Sequence, residues 1–442
     1  MNVERARRAS CITHLAWLVP CAVVADAAAA PRPITIEEAV ALAQRNAPQA
    51  VQADGQAQAS AAGVRAAYAA FLPSLSLTAG ATRQLPAGAR TRVENGQVIT
   101  LPSQPWSSSV GLGASLELFD GGRRFFDLRQ ANARASAAQA SEVAQRFGVA
   151  LTAKQQYFNV LAAREAEAAA RAQLDQAAQQ RRTSVARVKA RTATRSDSLR
   201  AEIQVRNAQL AVTQARNDLE AAEASLTRAV GSDEPVTAAA DSLVSTVLAL
   251  DAAALRRLAE DGPPVQQARA ELVAAKAAST ASWTDYLPSL SASYSRAGSG
   301  AADTPSVGSD GFIYSGSFRL SLTLPVFDQL QREQLVTQAR VALENAQAAL
   351  RDARLATLEG LTQSLGAFRS AGERVAAQTA TVAAAEEDLR VQQQRYGVGD
   401  STLLDVLTSQ TQLDQARSDL IRARYDQRVA KAQLEALVGR EL

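Results

Sequence analysis

Histidine and cysteine are almost missing from this 442-residue chain, which has one His and two Cys. All three (His14, Cys11 and Cys21) lie within the first 30 positions. The remainder has no imidazole, no thiol and no possible disulfide, which excludes a Ser-His-Asp triad, a Cys nucleophile and a His/Cys metal site. Carboxylate-only chemistry is left, but no clustered carboxylate motif carries it. Gly111-Leu112-Gly113 lacks the rest of a dinucleotide fingerprint and sits in a strand pattern. No catalytic residue, metal or cofactor is therefore expected. Aromatics are scarce at 5%. No run approaches eighteen consecutive apolar residues, so no membrane-spanning helix is predicted. Charges of both signs are interspersed, with a net of +3, which leaves no footprint for a nucleic-acid partner.

Residues 1–30 read as a signal peptide. Arg5, Arg7 and Arg8 make a positive start, an apolar stretch runs from Ile12 to Ala25, and the Ala-rich segment to Ala30 offers small-residue cleavage sites before Pro31. Leu18-Val19-Pro20-Cys21 faintly resembles a lipoprotein box, from which Pro20 departs. Two fates thus stand open for Cys21: a lipid anchor, or removal with the signal.

What the chain does have is a duplication. Phe71-Leu72-Pro73-Ser74-Leu75-Ser76 recurs as Tyr286-Leu287-Pro288-Ser289-Leu290-Ser291, an offset of 215 (71 to 286). Leu116 to Asp120 recurs as Leu324 to Asp328, and Leu226 to Gly231 as Leu434 to Gly439, both offset by 208 (120 to 328, 231 to 439). Copy one spans 31–231 and copy two 251–442, with 232–250 as a linker or equatorial segment. Each copy begins with a helix, over about 35–70 and 251–284.

Strands follow at about 73–84 and 108–119, and again at about 288–297 and 313–325. Strict period-two alternation identifies them, with Leu75, Leu77, Ala79 and Ala81 opposing Ser74, Ser76, Thr78 and Gly80. Their polar faces are small and uncharged apart from Glu117 and Arg319, and aromatics such as Phe119, Trp283 and Phe327 gather at one end. That pattern suits a membrane β-barrel with outer-membrane lipid against it better than a soluble sheet. Four strands cannot close a barrel, and lipid does not tolerate open edges, so other subunits are required.

After each strand pair, Asp120 and Asp328 stand where a helix N-cap is expected. Alanine-rich helix then runs to a tip at about 188–197 in copy one and about 396–405 in copy two, and returns to Gly231 or Gly439. Such helices suit close side-by-side packing in a coiled-coil-like wall.

The signal, the doubled strand–strand–hairpin unit and Leu-Pro-Ser-Leu together resemble the TolC-type outer-membrane efflux proteins. The most specific stretch is Arg395-Tyr396-Gly397-Val398-Gly399-Asp400-Ser401-Thr402-Leu403-Leu404-Asp405-Val406-Leu407. The resemblance implies a mixed fold, in which a long α-helical tunnel continues a transmembrane β-barrel whose twelve strands come from three protomers. It also implies an outer-membrane location with a large periplasmic extension, and a homotrimer. Its partners would be a periplasmic adaptor and an inner-membrane transporter of the RND, ABC or MFS type. The channel would be a passive conduit for efflux or type I secretion.

Position by position, Asp405 matches an acidic residue that rings the aperture, Tyr396 a tyrosine that ties neighbouring coiled coils, and Ser196-Asp197 the polar pair that receives such ties. Gly397, Val398, Gly399 and Arg191 fall at the tips where an adaptor docks. Ser401 and Thr408 depart from the pattern, and Arg191 stands where copy two keeps Gly399. Two rivals differ in class: a periplasmic adaptor, which has one hairpin rather than two, and a structural coiled-coil protein of the envelope, which needs no amphipathic strands. The sequence does not name the cargo.

Overall fold

The computed structural model describes residues 31–85, 90–101, 105–239, 252–304 and 312–442. The expected signal peptide and the later part of the expected linker lie outside them. In copy one, β1 (Arg32–Ile34) leads into α1 (Ile36–Asn46) and α2 (Pro48–Ala69). The single helix expected here is broken at Ala47, whose extended backbone (ψ 134°) is the conformation a following proline imposes. Next come β2 (Ser74–Arg83), a small hairpin of β3 (Arg90–Glu94) and β4 (Gln97–Leu101), and β5 (Trp106–Phe119). The β3–β4 hairpin, which the patterning did not reveal, turns on Asn95-Gly96, both with positive φ as a type I′ turn requires.

Helices α3 (Arg123–Lys189) and α4 (Arg195–Val230) form the first hairpin. β6 (Val236–Ala238) then pairs in parallel with β1, so the described part of the linker is itself structural. Copy two repeats the plan with α5 (Ala252–Glu260), α6 (Pro263–Ala281), β7 (Ser289–Ala302), β8 (Ile313–Thr323), α7 (Gln331–Val398) and α8 (Leu403–Val438). Here too the expected single helix breaks before a proline, Pro263. At 67 and 68 residues, α3 and α7 are each about 100 Å long.

The main sheet has the order β2-β5-β7-β8, with antiparallel neighbours. The register places Leu77, Leu112 and Arg296 in one row and Ser74, Ser115, Ser293 and Arg319 in another, on the opposite face. Neither face is covered within the protomer: Leu75 is 74% exposed and Leu322 72%. The outer edges of β2 and β8 have no strand partner among the described residues. The main core lies instead at the middle of the molecule. There Ile34 and Val236 of the small parallel pair meet Tyr157, Phe158, Leu226, Val230 and Tyr425. No helix among the described residues is long and apolar enough to cross a membrane.

Sheet and helices meet at a junction that the duplication repeats almost atom for atom. Asp120 and Asp328 are not the N-caps; those positions fall two residues later, at Gly122 and Leu330, in left-handed conformation. The carboxylates nevertheless serve the first turn, because Asp120 accepts from the Gly122 and Arg124 amides and Asp328 from the Arg332 amide. Each also binds the arginine side chain, at 2.9 Å in both Asp120–Arg124 and Asp328–Arg332. Those guanidiniums lie over the Phe71 and Tyr286 rings, at 5.2 and 4.9 Å from the centroids. The repeated aromatic-Leu-Pro and Asp signals thus converge on one clasp with an arginine, Arg124 or Arg332, that recurs at the same offset of 208 (124 to 332).

Copy one passes through its junction on Gly121 (φ 67°) and Gly122 (φ 84°), whereas copy two holds Gln329 (φ 60°) and Leu330 (φ 67°) there. A side chain in this region costs about 1–2 kcal/mol. Gln329→Gly should therefore stabilise copy two by about 0.5–1 kcal/mol, after the flexibility that glycine adds to the unfolded chain is subtracted. Gly121→Ala should destabilise, because its Cβ would meet Leu287 Cβ at 2.5 Å. Thermal denaturation of the two variants checks the pair; a loss of stability in Gln329→Gly overturns the prediction.

Candidate functional site

Both hairpins turn at the end remote from the sheet, and the two tips have the same backbone. Arg191 (φ 61°) occupies the slot of Gly399 (φ 89°), so a side chain replaces glycine without changing the path. The Thr192 amide donates to the Arg187 carbonyl as the Asp400 amide does to that of Arg395, both at 2.9 Å. The returning helices α4 and α8 then open with identical capping boxes. Thr402 Oγ1 accepts from the Asp405 amide, while Asp405 Oδ2 accepts from the Thr402 amide and hydroxyl at 2.8 and 2.7 Å. Thr194 and Asp197 repeat this at 3.0 and 2.8 Å. Both aspartates are thus capping residues, each using a single carboxylate oxygen for these bonds. The two bonds from Thr402, with Arg395 nearby, hold the Asp405 carboxyl below its ordinary pKa against the opposing effect of burial.

Tyr396 lies in the last turn of α7, and its hydroxyl is buried without a hydrogen-bond partner. Within the protomer it does not reach Ser196, which is exposed, or Asp197. The link between the tips comes from a residue that motif matching missed, Arg187. Its guanidinium donates to the carbonyls of Tyr396 (2.7 Å) and Gly397 (2.6 Å) and lies 4.3 Å from the centroid of the Tyr396 ring. These carbonyls lie at the negative end of α7, where the Tyr396 carbonyl also accepts the Gly399 amide at 3.3 Å, so a side chain of one hairpin caps the other.

The 208-residue offset explains why. Arg187 corresponds to Arg395, which is held inside its own tip by Asp400 at 3.0 Å. Thr192 stands at the position of Asp400 in copy one and offers no carboxylate, which leaves Arg187 to reach across.

Above the tips the same division continues. Each hairpin closes on itself through apolar contacts: Ala177, Val205 and Ala208 in the first, Leu389, Val406 and Leu413 in the second. Between the hairpins the seam is polar. Gln173 donates to Asp414 at 2.6 Å, Gln176 donates to Gln410, and Gln180 Nε2 and Ser184 Oγ are buried with no partner. A cavity of about 30 Å³ among these glutamines has room for roughly one water. Burial raises the Asp414 carboxyl pKa against the hydrogen bonds from Gln410 and Gln173. The stripe Gln173, Gln176, Gln180, Ser184, Arg187, at helical spacing, was legible as polar residues on what should be an inward face. Further towards the sheet, Phe158 and Tyr425 rejoin the two hairpins through apolar packing, 6.5 Å apart.

Loss of either cap should loosen its tip. Thr402→Ala should cost about 1 kcal/mol of local helix stability, and Thr194→Ala the same. Because the folded pKa of Asp405 is depressed, its contribution is complete above the ordinary aspartate pKa of about 3.9 and disappears as pH falls through the lower folded value. Amide exchange at Val406 should therefore stay protected at neutral pH and accelerate only under strong acid. Acceleration between pH 7 and 5 would contradict the assignment.

A family model described as outer membrane efflux protein matches residues 39–232 and 254–440. Protein CyaE of Bordetella pertussis is 26% identical over 358 residues, covering 76% of this chain and 70% of CyaE. The CmeC outer membrane channel of Campylobacter jejuni superposes with a TM-score of 0.75 at 16% identity, over 91% of this chain and 85% of its own. The MtrE outer membrane channel of Neisseria gonorrhoeae, in its open state, gives 0.71 at 22% identity, over 92% and 89%. The fold is that of these channels, a helical tunnel joined to barrel strands, and with both copies of the repeat matched the chain belongs to the outer membrane efflux protein family.

Proposed function

We propose that three copies of this chain form an outer-membrane channel: a twelve-stranded barrel continuous with a helical tunnel that reaches into the periplasm. The observation that carries this is a sheet with a bare apolar face and two edges unpaired among the described residues, feeding directly into helices about 100 Å long. Lipid suits the face, and pairing of β8 with β2 of the next copy satisfies the edges. Exposed apolar residues along the hairpins favour the same assembly: the stripe Leu199, Ile203 and Leu210 on α4, and Val341 and Leu355 on one face of α7. Two different patches meeting around a ring make a closed, heterologous interface.

The channel is a passive conduit and catalyses nothing. Substrate enters from an inner-membrane transporter of the RND, ABC or MFS type through a periplasmic adaptor, in efflux or type I secretion. The adaptor docks at the tips, on Gly397, Val398, Gly399 and Arg191. The tips also form the gate. Three Asp405 carboxylates face one another around the axis, and Tyr396, Ser196 and Asp197 line the contacts between neighbouring hairpins. Arg187 holds the two hairpins of one protomer together along a seam that water can enter, while the Phe158–Tyr425 packing acts as the fulcrum.

Purified protein in a planar bilayer should show a small, mostly closed conductance. Arg187→Ala should raise open probability several-fold. Thr192→Asp should do the same without touching Arg187, by giving it a local carboxylate like the one that retains Arg395. No conductance from any variant refutes the channel; wild-type gating in both variants refutes the Arg187 tie alone.

A further inference from the structure

The four barrel strands have four charged side chains, Arg83, Glu117, Arg296 and Arg319. The register separates them by face. Glu117 and Arg319 stand in rows with Ser291 and Ser293, on the polar face. Arg296 instead shares a row with Leu112 and Leu77, and Arg83 pairs with Trp106 two rows beyond Ala79–Val110. Both therefore lie on the apolar face, which has no acidic residue. An arginine turned to lipid within a bilayer is costly, most of all near the middle, so arginines on this face require a reason.

Their surroundings supply it. The Arg296 guanidinium lies 5.8 Å from the Tyr314 ring centroid, and Tyr314 pairs with Gly298, one row further from the helices. The side chain thus points away from the helical end. Tyr294 leans the same way, because a Cβ built on Gly316 would meet its hydroxyl at 3.8 Å. Gly316 is the residue opposite Arg296, so the notch beside the guanidinium is floored by glycine and rimmed by a phenol hydroxyl and an aromatic ring. Arg83 repeats the theme, 5.8 Å from the Trp106 ring centroid. Neither arginine forms an ion pair with a described residue.

Height agrees with a headgroup location. From Leu290 to Arg296 is about 20 Å along the strand, or about 15 Å of rise at barrel tilt. A snorkelling arginine adds about 6 Å, for about 21 Å in all, and so comes close to the far rim of an apolar band about 25 Å tall. Arg83, six residues further along the register, stands beyond that rim.

We propose that Arg296 and the Tyr294 hydroxyl bind the phosphate of a phosphorylated lipid in the leaflet remote from the helices. The chemistry is a guanidinium fork and a hydroxyl donor offered to a phosphate, with aromatic rings packed against the acyl region next to it. The proposal rests on the sheet being the membrane-spanning part of the channel.

The test is native mass spectrometry of the intact assembly titrated with bisphosphorylated lipid A and with the same lipid after phosphate removal. Each preparation is also scored for insertion by bilayer conductance. The wild type should prefer the phosphorylated lipid about ten-fold, as one or two charge-assisted hydrogen bonds imply. Arg296→Ala should abolish most of that preference, Arg296→Lys should keep part of it, and Arg319→Ala, on the polar face, should keep all of it. A conducting wild type with no phosphate preference, or an unchanged Arg296→Ala, overturns the lipid site while the channel stands. Failure of every preparation to insert overturns both.

Discussion

The contact on which the architecture turns is the Asp–Arg–aromatic clasp at the end of each strand pair. A period-two chain that has just finished a strand must reverse and begin a helix, leaving several amides without partners. Asp120 and Asp328 take those amides, and their arginines return over Phe71 and Tyr286, which stand three residues before the first strand of each pair. One small cluster therefore fixes where the sheet stops, where the long helix starts and how the two are aimed. The side chains of both ion pairs are mostly shielded from water, so the pairs are screened less than those scattered along the helices.

The second constraint is the division of labour between apolar and polar packing. Apolar side chains inside each hairpin, alanine and valine in the first and leucine and valine in the second, hold each pair as a unit. Glutamine and serine between hairpins offer hydrogen bonds that water can replace, at little net cost. A wall made of stiff units and soft seams separates along the seams. Where Tyr157, Phe158 and Tyr425 cross between the hairpins, in the core built on the β1–β6 pair, the structure resists separation.

Duplication followed by divergence makes the two tips instructive. Their backbones share the Arg191–Val188 and Thr192–Arg187 hydrogen bonds as Gly399–Tyr396 and Asp400–Arg395, and both have capping boxes. The difference is one carboxylate: Asp400 occupies Arg395, while Thr192 leaves Arg187 unclaimed. A single position thereby turns one of two equivalent arginines into a bridge between hairpins. Arg191 and the Gln329-Leu330 pair show the converse, a backbone path in the left-handed region without the glycines that the other copy has there.

Much of this was legible in the letters. Alternation revealed the four main strands and their faces, because side chains on a strand point alternately by geometry alone. The constant offset exposed the repeat, and the composition left no thiol or imidazole after residue 30. Proline placement would have split the first helix of each copy, had Pro48 and Pro263 been weighed against helix length. Asp405 and Asp197, picked out by resemblance, are visible as capping residues only once the Thr-x-x-Asp spacing is seen at a turn. The sequence by itself determined the elements, their periodicity and their duplication, because those follow from local backbone and side-chain geometry. Tertiary structure alone decided that Arg187 meets Tyr396, that glutamines from two hairpins share a seam, and that Arg296 stands among leucines. Those facts depend on register and on which helices become neighbours, over separations of about 200 residues that no local pattern encodes.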